Sequence, residues 1–112
     1  MSTAGGRLAE DEAAKFLARK GFKIIAQNWR TRWCEIDIVA QQANTIYFVE
    51  VKYRASNRFG AGFDYITSRK QRQMHFAAEF WIAKHGKDQD YRLAAIELSG
   101  DPPQVDGWLD DI

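Results

Sequence analysis

Cysteine, histidine and proline are all scarce in this sequence. Its 112 residues hold one cysteine, Cys34, two histidines and two prolines, the latter adjacent at Pro102-Pro103. A lone cysteine excludes an internal disulfide and fits a reducing, cytoplasmic location. Neither His75 nor His85 stands at metal-ligand spacing from a second histidine, so both are expected at the surface. Neither lies near Cys34 in sequence either, which argues against a cysteine nucleophile. No apolar run approaches the roughly 18 residues that a membrane-spanning helix needs. The opening MSTAGGRLAEDE has no apolar stretch of the secretory kind. Repeats, linkers and low-complexity segments are also missing. The expectation is one domain over 1–112, with 1–5 and the last residues loose, and 46% hydrophobic residues to form a modest core.

Net charge is only +1, but it is unevenly spread. Residues 1–87 hold 15 Lys/Arg against 8 Asp/Glu, and residues 88–112 hold 1 against 7. A basic body suits phosphate backbones; an acidic tail is equally a common solubility device.

The richest stretch is Glu35 to Lys52, EIDIVAQQANTIYFVEVK. Ile36, Ile38 and Ala40 alternate with Glu35, Asp37 and Val39. Ile46, Phe48, Glu50 and Lys52 then share one face, and Tyr47, Val49, Val51 and Tyr53 the other. Period-2 patterning with aromatic and β-branched residues predicts two strands. A hairpin with Ala43 and Asn44 at its tip places Asp37 opposite Glu50 and Glu35 opposite Lys52. The other face then pairs Ile36 with Val51, Ile38 with Val49 and Ala40 with Tyr47, apolar throughout. Opposed residues have Cβ atoms about 4.5–5.5 Å apart. Two carboxylates that close, beside Val39 and Phe48, repel each other and lose hydration unless a cation stands between them. Lys52 supplies part of that charge. A hard divalent ion such as Mg²⁺, which takes carboxylate and carbonyl oxygens, would supply the rest. The plain alternative is a strand end emerging into solvent with ordinary surface charges.

At these residues the chain resembles a known group. Asp37, followed after twelve residues by Glu50-Val51-Lys52, looks like the PD-(D/E)xK nuclease signature. The ordered set Gly6-Arg7, Glu10, Ala13, Leu17, Gly21, Asn28, Glu35-Ile36-Asp37, Phe48 to Lys52, Arg54, Phe59-Gly60 and Lys70 resembles the YraN family of small bacterial proteins. The likeness covers residues 6 to about 85. It implies a restriction-endonuclease-like fold and a Mg²⁺- or Mn²⁺-dependent phosphodiester nuclease. Asp37, Glu50 and Lys52 would be catalytic, and Asp37, Glu50 and the Val51 carbonyl would hold the metal. Glu10 and Glu35 would serve an outer shell or a second metal. Two positions depart from the pattern: Cys34 stands where the family has Gly, and Ala94 lies near a family Asp.

Around this centre the chain reads in order. Residues 6 to 20 form an amphipathic helix, with Ala9, Ala13, Phe16 and Leu17 on one face and Asp11, Lys15 and Arg19 on the opposite one. Glu10 and Glu12 both edge the apolar stripe, and spacing does not choose between them; the resemblance chooses Glu10. Gly21 is a natural helix end. Phe22 to Arg30 is a first strand, with Phe22, Ile24 and Ala26 on one face. Trp29, Arg30, Arg32 and Trp33 either grip a phosphate backbone and stack on bases, or form a packed aromatic corner with exposed arginines. Arg54 and Arg58 lie in a basic loop leaving the third strand. Ser68 and Gln71 match a capping box for a second helix reaching about Lys84. Its buried stripe is Met74, Ala77, Ala78 and Trp81. Lys70 shares that stripe and should point at the sheet, towards the carboxylates or a phosphate. Phe76, Phe80 and Ala83 form a second apolar line that could meet the first helix or make a homodimer surface. Tyr91 to Leu98 is a strand parallel to the third. Trp108, Leu109 and Ile112 are expected to dock as a short edge strand.

The expected fold is therefore α/β: a mixed central β-sheet flanked by two main helices, in the order α-β-β-β-α-β. The expected partner is nucleic acid, DNA ahead of RNA, branched or single-stranded, bound through Arg30, Arg32, Arg54, Arg58 and Lys70, with no membrane. The competing expectation is a non-catalytic module on the same fold that binds nucleic acid or protein.

Overall fold

The structure, a computed structural model, describes residues 4–56, 62–85 and 89–112. Helix α1 (Ala4–Arg19) is followed by strands β1 (Lys23–Arg30), β2 (Glu35–Gln42) and β3 (Thr45–Arg54). Helix α2 (Ser68–His85) then leads to β4 (Asp90–Ser99) and β5 (Gln104–Leu109). The strands form one sheet in the order β1-β2-β3-β4-β5. Only β3 and β4 run parallel; the other neighbours are antiparallel. The order is thus α-β-β-β-α-β-β, one edge strand longer than the six-element order expected. Among the described residues no helix is long and apolar enough to cross a membrane.

Each sheet face carries one helix because each side of the central strands is apolar. Under α1, Ala9, Ala13 and Leu17 pack on Ile38, Ala40, Tyr47, Val49, Ile96 and Leu98. Under α2, Met74, Ala77, Ala78 and Trp81 pack on Val39, Ile46, Phe48 and Leu93. Burial on both faces makes β3 and β4 near-continuous hydrophobic runs, as a parallel pair requires. Trp108 of β5 reaches the α1 side and meets Phe16 and Phe22 edge-on. Ile112 packs on the α2 side, where its N–H donates to the Leu93 carbonyl.

The helix ends follow their sequence signals, with one shift. Gly21 has φ of 93°, and the Phe22 and Gly21 N–H groups donate to Leu17 and Ala18 carbonyls. This is a Schellman end, sealed by the buried pair Phe22 and Leu17. At α2 the cap is Thr67, not Ser68: Thr67 Oγ1 accepts the Lys70 N–H at 3.1 Å, and Ser68 is the first helical residue.

Two face assignments differ from simple alternation. A bulge between Ile24 and Ala26 inserts one residue into β1. Ile24 therefore lies on the α1 side, whereas Ala26 and Trp29 join the α2 side. Ile36 likewise packs on the α2 side and Val51 on the α1 side, so they do not face each other as the extended hairpin register implied. The cause lies between Gln27↔Ile38 and Trp29↔Ile36, where the β1–β2 pairing skips Asn28 and Asp37. Asn28 takes the left-handed φ of 52°, a conformation its short polar side chain tolerates.

Candidate active site and groove

The β2–β3 hairpin turns at Ala43-Asn44 and zips from Gln42↔Thr45 to Ile38↔Val49. Its regular pairing ends there, and the next two residues inward are Asp37 and Glu50. Beyond the last pair the Val51 N–H donates to Asp37 Oδ2 at 2.8 Å. In an extended strand the N–H and C=O of one residue face the same neighbour. The Val51 carbonyl therefore faces the opening that holds Asp37.

Asp37 sits in this seam and senses both faces of the sheet. Burial, and next the Glu50 carboxylate, push its carboxyl up to about 7; Glu10 and Glu35 add to the rise, and the Val51 N–H opposes it. Glu10 is buried on α1, and its Oε2 accepts Asn28 Nδ2 at 2.6 Å. Glu12 instead pairs with Lys15 at the surface, so the helix geometry singles out Glu10. Glu50 emerges on the α2 side, where Lys70 Nζ lies 3.0 Å from its Oε2. Lys70 therefore points at the sheet, onto one of the two carboxylates.

Past Glu50 the α2 face of β3 remains charged. The Lys52 amine lies 5.4 Å from the centre of the Tyr65 ring and enters no ion pair among the described residues. Arg54 Nη1 reaches Glu97 Oε2 at 2.6 Å, and its guanidinium also covers Tyr65. Glu97 is buried on β4, and both its oxygens accept the Gly62 N–H at 3.1 Å. Arg54 is thus committed within the fold, not offered to a phosphate as expected. The Tyr65 hydroxyl is buried and finds no partner among the described residues. Burial, then Glu50 and Glu97, hold its phenol neutral well above the usual range.

Glu50 opens into a groove of about 610 Å³ lined by Trp33, Cys34, Glu35, Arg69, Lys70, Arg72, Gln73, Met74 and Phe76. A smaller depression beside it joins Asp37 to Glu35 and Glu50. Of the expected nucleic-acid contacts, Arg30 pairs loosely with Glu35 at 3.5 Å, and Arg32 lies over the Trp33 ring. Arg58 lies outside the described residues. Trp29 is half-buried against Phe80, which also meets Trp33 and Phe76. The Phe76/Phe80 line is thus partly covered from within the chain, and Phe76 is its exposed member.

The carboxylates, the Val51 carbonyl and surrounding water form a hard-oxygen donor set. Among the described residues no three carboxylate, histidine or cysteine side chains converge as a ready cage. Mg²⁺ is nonetheless commonly held by one or two carboxylates plus substrate phosphate and water. The repulsion at Asp37 is what such an ion would relieve, so the residues fit one that arrives with its substrate.

Sequence marks Asn28 only through the family resemblance, with no role, and does not mark Tyr65, Glu97, Arg69 or Arg72. Glu97 had a visible signal, a lone acid inside the apolar run LAAIEL. The others depend on chain crossings that spacing does not encode.

The profile of Uncharacterised protein family UPF0102 matches residues 9–98. A UPF0102 protein of Nitrosomonas europaea is 36% identical over 111 residues, covering 97% of this chain and 94% of that one. One from Caldicellulosiruptor saccharolyticus is 38% identical over 94 residues, covering 83% and 80%. One from Pseudomonas putida is 36% identical over 100 residues, covering 88% and 81%. The chain belongs to the UPF0102 family, the group to which the YraN resemblance pointed.

Proposed function

We propose that this UPF0102 member is a metal-dependent phosphodiester nuclease with a restriction-endonuclease-like fold. The observation that carries it is the pair Asp37 and Glu50 at the open end of the β2–β3 ladder, with Lys52 on the same strand and a cation-lined groove alongside. Asp37 and Glu50, with the Val51 carbonyl, would hold Mg²⁺ or Mn²⁺. Bound there, the ion would polarise a phosphoryl oxygen and make its water more acidic. Lys52 would orient the attacking water and offset charge on the phosphate. Its place over Tyr65, clear of the other ion pairs, leaves its amine available. Lys70 would hold Glu50 in position and meet the phosphate as it enters. Glu10, fixed by Asn28, keeps negative potential behind Asp37 and favours a cation in the seam. Backbone contacts would set affinity, and DNA is preferred to RNA only by the resemblance.

One observation favours a second reading. Glu50 is already paired with Lys70 and no three-ligand cage is present among the described residues. A module that binds nucleic acid without cutting it would look the same. The test is cleavage of labelled single-stranded, duplex and branched DNA and RNA with Mg²⁺ or Mn²⁺, comparing wild type with Asp37→Asn. Metal-dependent cleavage that falls by orders of magnitude in Asp37→Asn supports the nuclease. Equal cleavage by both proteins overturns the mechanism, and binding with no cleavage selects the module.

A further inference from the structure

Four large apolar residues are exposed among the described residues, and two of them, Trp33 (65%) and Phe76 (52%), line the same groove. They come from different elements, the β1–β2 turn and α2. Phe80 bridges them, with ring centres 5.8 Å from Trp33 and 6.0 Å from Phe76. Both contacts are tilted, so Phe80 supports the two rings from behind without stacking on them. Trp33 is further fixed by its turn, where its N–H donates to Thr31 Oγ1 at 3.1 Å.

Cations surround these rings. The Arg32 guanidinium lies 5.3 Å from the Trp33 ring centre. Arg69, Lys70 and Arg72 line the same groove, and Arg69 and Arg72 enter no ion pair among the described residues. A surface built to bury another protein gathers aromatics and arginines but is depleted of lysine and glutamate at its centre, and this groove carries Lys70, Glu35 and Glu50. Exposed rings interleaved with arginines suit a different occupant, a polyanion that carries flat apolar faces. Unpaired nucleic acid has that chemistry, with phosphates for the arginines and base faces for the rings. A blunt duplex offers its phosphates but keeps its base faces stacked inside.

We propose that Trp33 and Phe76 form a base-stacking platform and that the groove takes a single-stranded segment of nucleic acid. The backbone passes Arg69 and Arg72 towards Glu50, and the flanking bases rest on the two rings. What then happens at Glu50 rests on the nuclease reading; the stacking does not.

The test is binding by fluorescence anisotropy in chelator. The probes are a labelled oligothymidylate, an abasic deoxyribose-phosphate chain of equal length and a blunt duplex. The proteins are wild type, Trp33→Ala/Phe76→Ala, the aromatic-preserving Trp33→Phe/Phe76→Tyr, and Asp37→Asn. Wild type should prefer oligothymidylate to the abasic chain by about tenfold or more, since each stacked base contributes on the order of 1–3 kcal/mol. The alanine variant should bind both strands alike, at the abasic level, while Trp33→Phe/Phe76→Tyr and Asp37→Asn keep the preference. Equal wild-type affinity for the two strands overturns the proposal. So does an unchanged preference in the alanine variant, or tighter binding of the duplex. A dimer in light scattering that becomes a monomer in the alanine variant assigns this face to a second copy and likewise overturns it. Failure of the nuclease reading shows elsewhere, as undiminished cleavage by Asp37→Asn, and leaves the base preference intact.

Discussion

The Asp37 carboxylate accepts the Val51 N–H at 2.8 Å, one residue beyond the last backbone pair of its hairpin. A side chain thus occupies the seam between two strands whose neighbours are buried. That placement gives the metal-free protein a defined pH response. Asp37 in the fold titrates near 7, against an ordinary value of 3.8 in the unfolded chain. Between those values the folded state binds the extra proton, so the Asp37 contribution to stability is fullest below 3.8. It falls as pH rises towards 7 and levels off above it. The deficit at pH 8 is on the order of 4 kcal/mol. Asp37→Asn, which keeps an acceptor for Val51, should therefore melt higher than wild type in chelator. The gap should be small near pH 4, widen to about 7 and then stay constant. Thermal melts across that range check it; a gap that does not change with pH would sink the assignment.

In the proposed site Lys70 and a divalent ion would compete for Glu50. Their contact is partly exposed, 33% and 22% at the two side chains, so Lys70→Gln should change stability by no more than about 1 kcal/mol. Freed of its lysine, Glu50 should bind Mn²⁺ alone more tightly, by calorimetry. Affinity for an oligonucleotide should fall in the same variant. Two effects of opposite sign distinguish this role from a general loss of structure.

The Arg54–Glu97 pair is a different case, because Glu97 is only 3% exposed at its side chain. Arg54→Ala leaves that carboxylate, among the described residues, with only the Gly62 N–H and should cost about 3 kcal/mol in denaturant unfolding. Replacing both partners, Arg54→Met/Glu97→Leu, should recover most of the loss. If the double variant is no better than the single one, the pair is not what holds this corner.

Asn28 combines two requirements, a left-handed backbone and a donor for buried Glu10. Asn28→Gly meets the first and should cost about 1.5–3 kcal/mol for the lost bond to a charged group. Asn28→Ala meets neither and should cost about 1–2 kcal/mol more. Equal stability of the two variants would show that the φ of 52° is unimportant.

These residues also mark how far the sequence could be read. Alternation located β2 and β3, and the tip at Ala43-Asn44 set their register, because a slipped pairing would put charge against Val49 or Val51. The stripe position sends Lys70 towards the sheet, to the carboxylates or a phosphate, and the structure places its amine on Glu50. Spacing failed where the backbone departs from regularity. The bulge at Ile25 and the skipped pair at Asn28 and Asp37 moved Ala26 and Ile36 across the sheet. Neither irregularity involves a glycine or proline that would have announced it. Arg54 was read as a free surface cation because its partner lies 43 residues away on another strand.

Helix α2 belongs to both the core and the site: Met74, Ala77, Ala78 and Trp81 anchor it, while Arg69, Lys70 and Arg72 overhang Glu50. The carboxylates of β2 and β3 therefore leave the ribosome before the wall that orients them. A nascent chain halted after the hairpin carries Asp37, Glu50 and Lys52 but neither Lys70 nor a groove. If the assembled protein cuts nucleic acid, it does so only once synthesis has passed α2 and the helix has docked. On that reading, the order of the elements alone would keep unfinished chains from cutting the RNA that surrounds them.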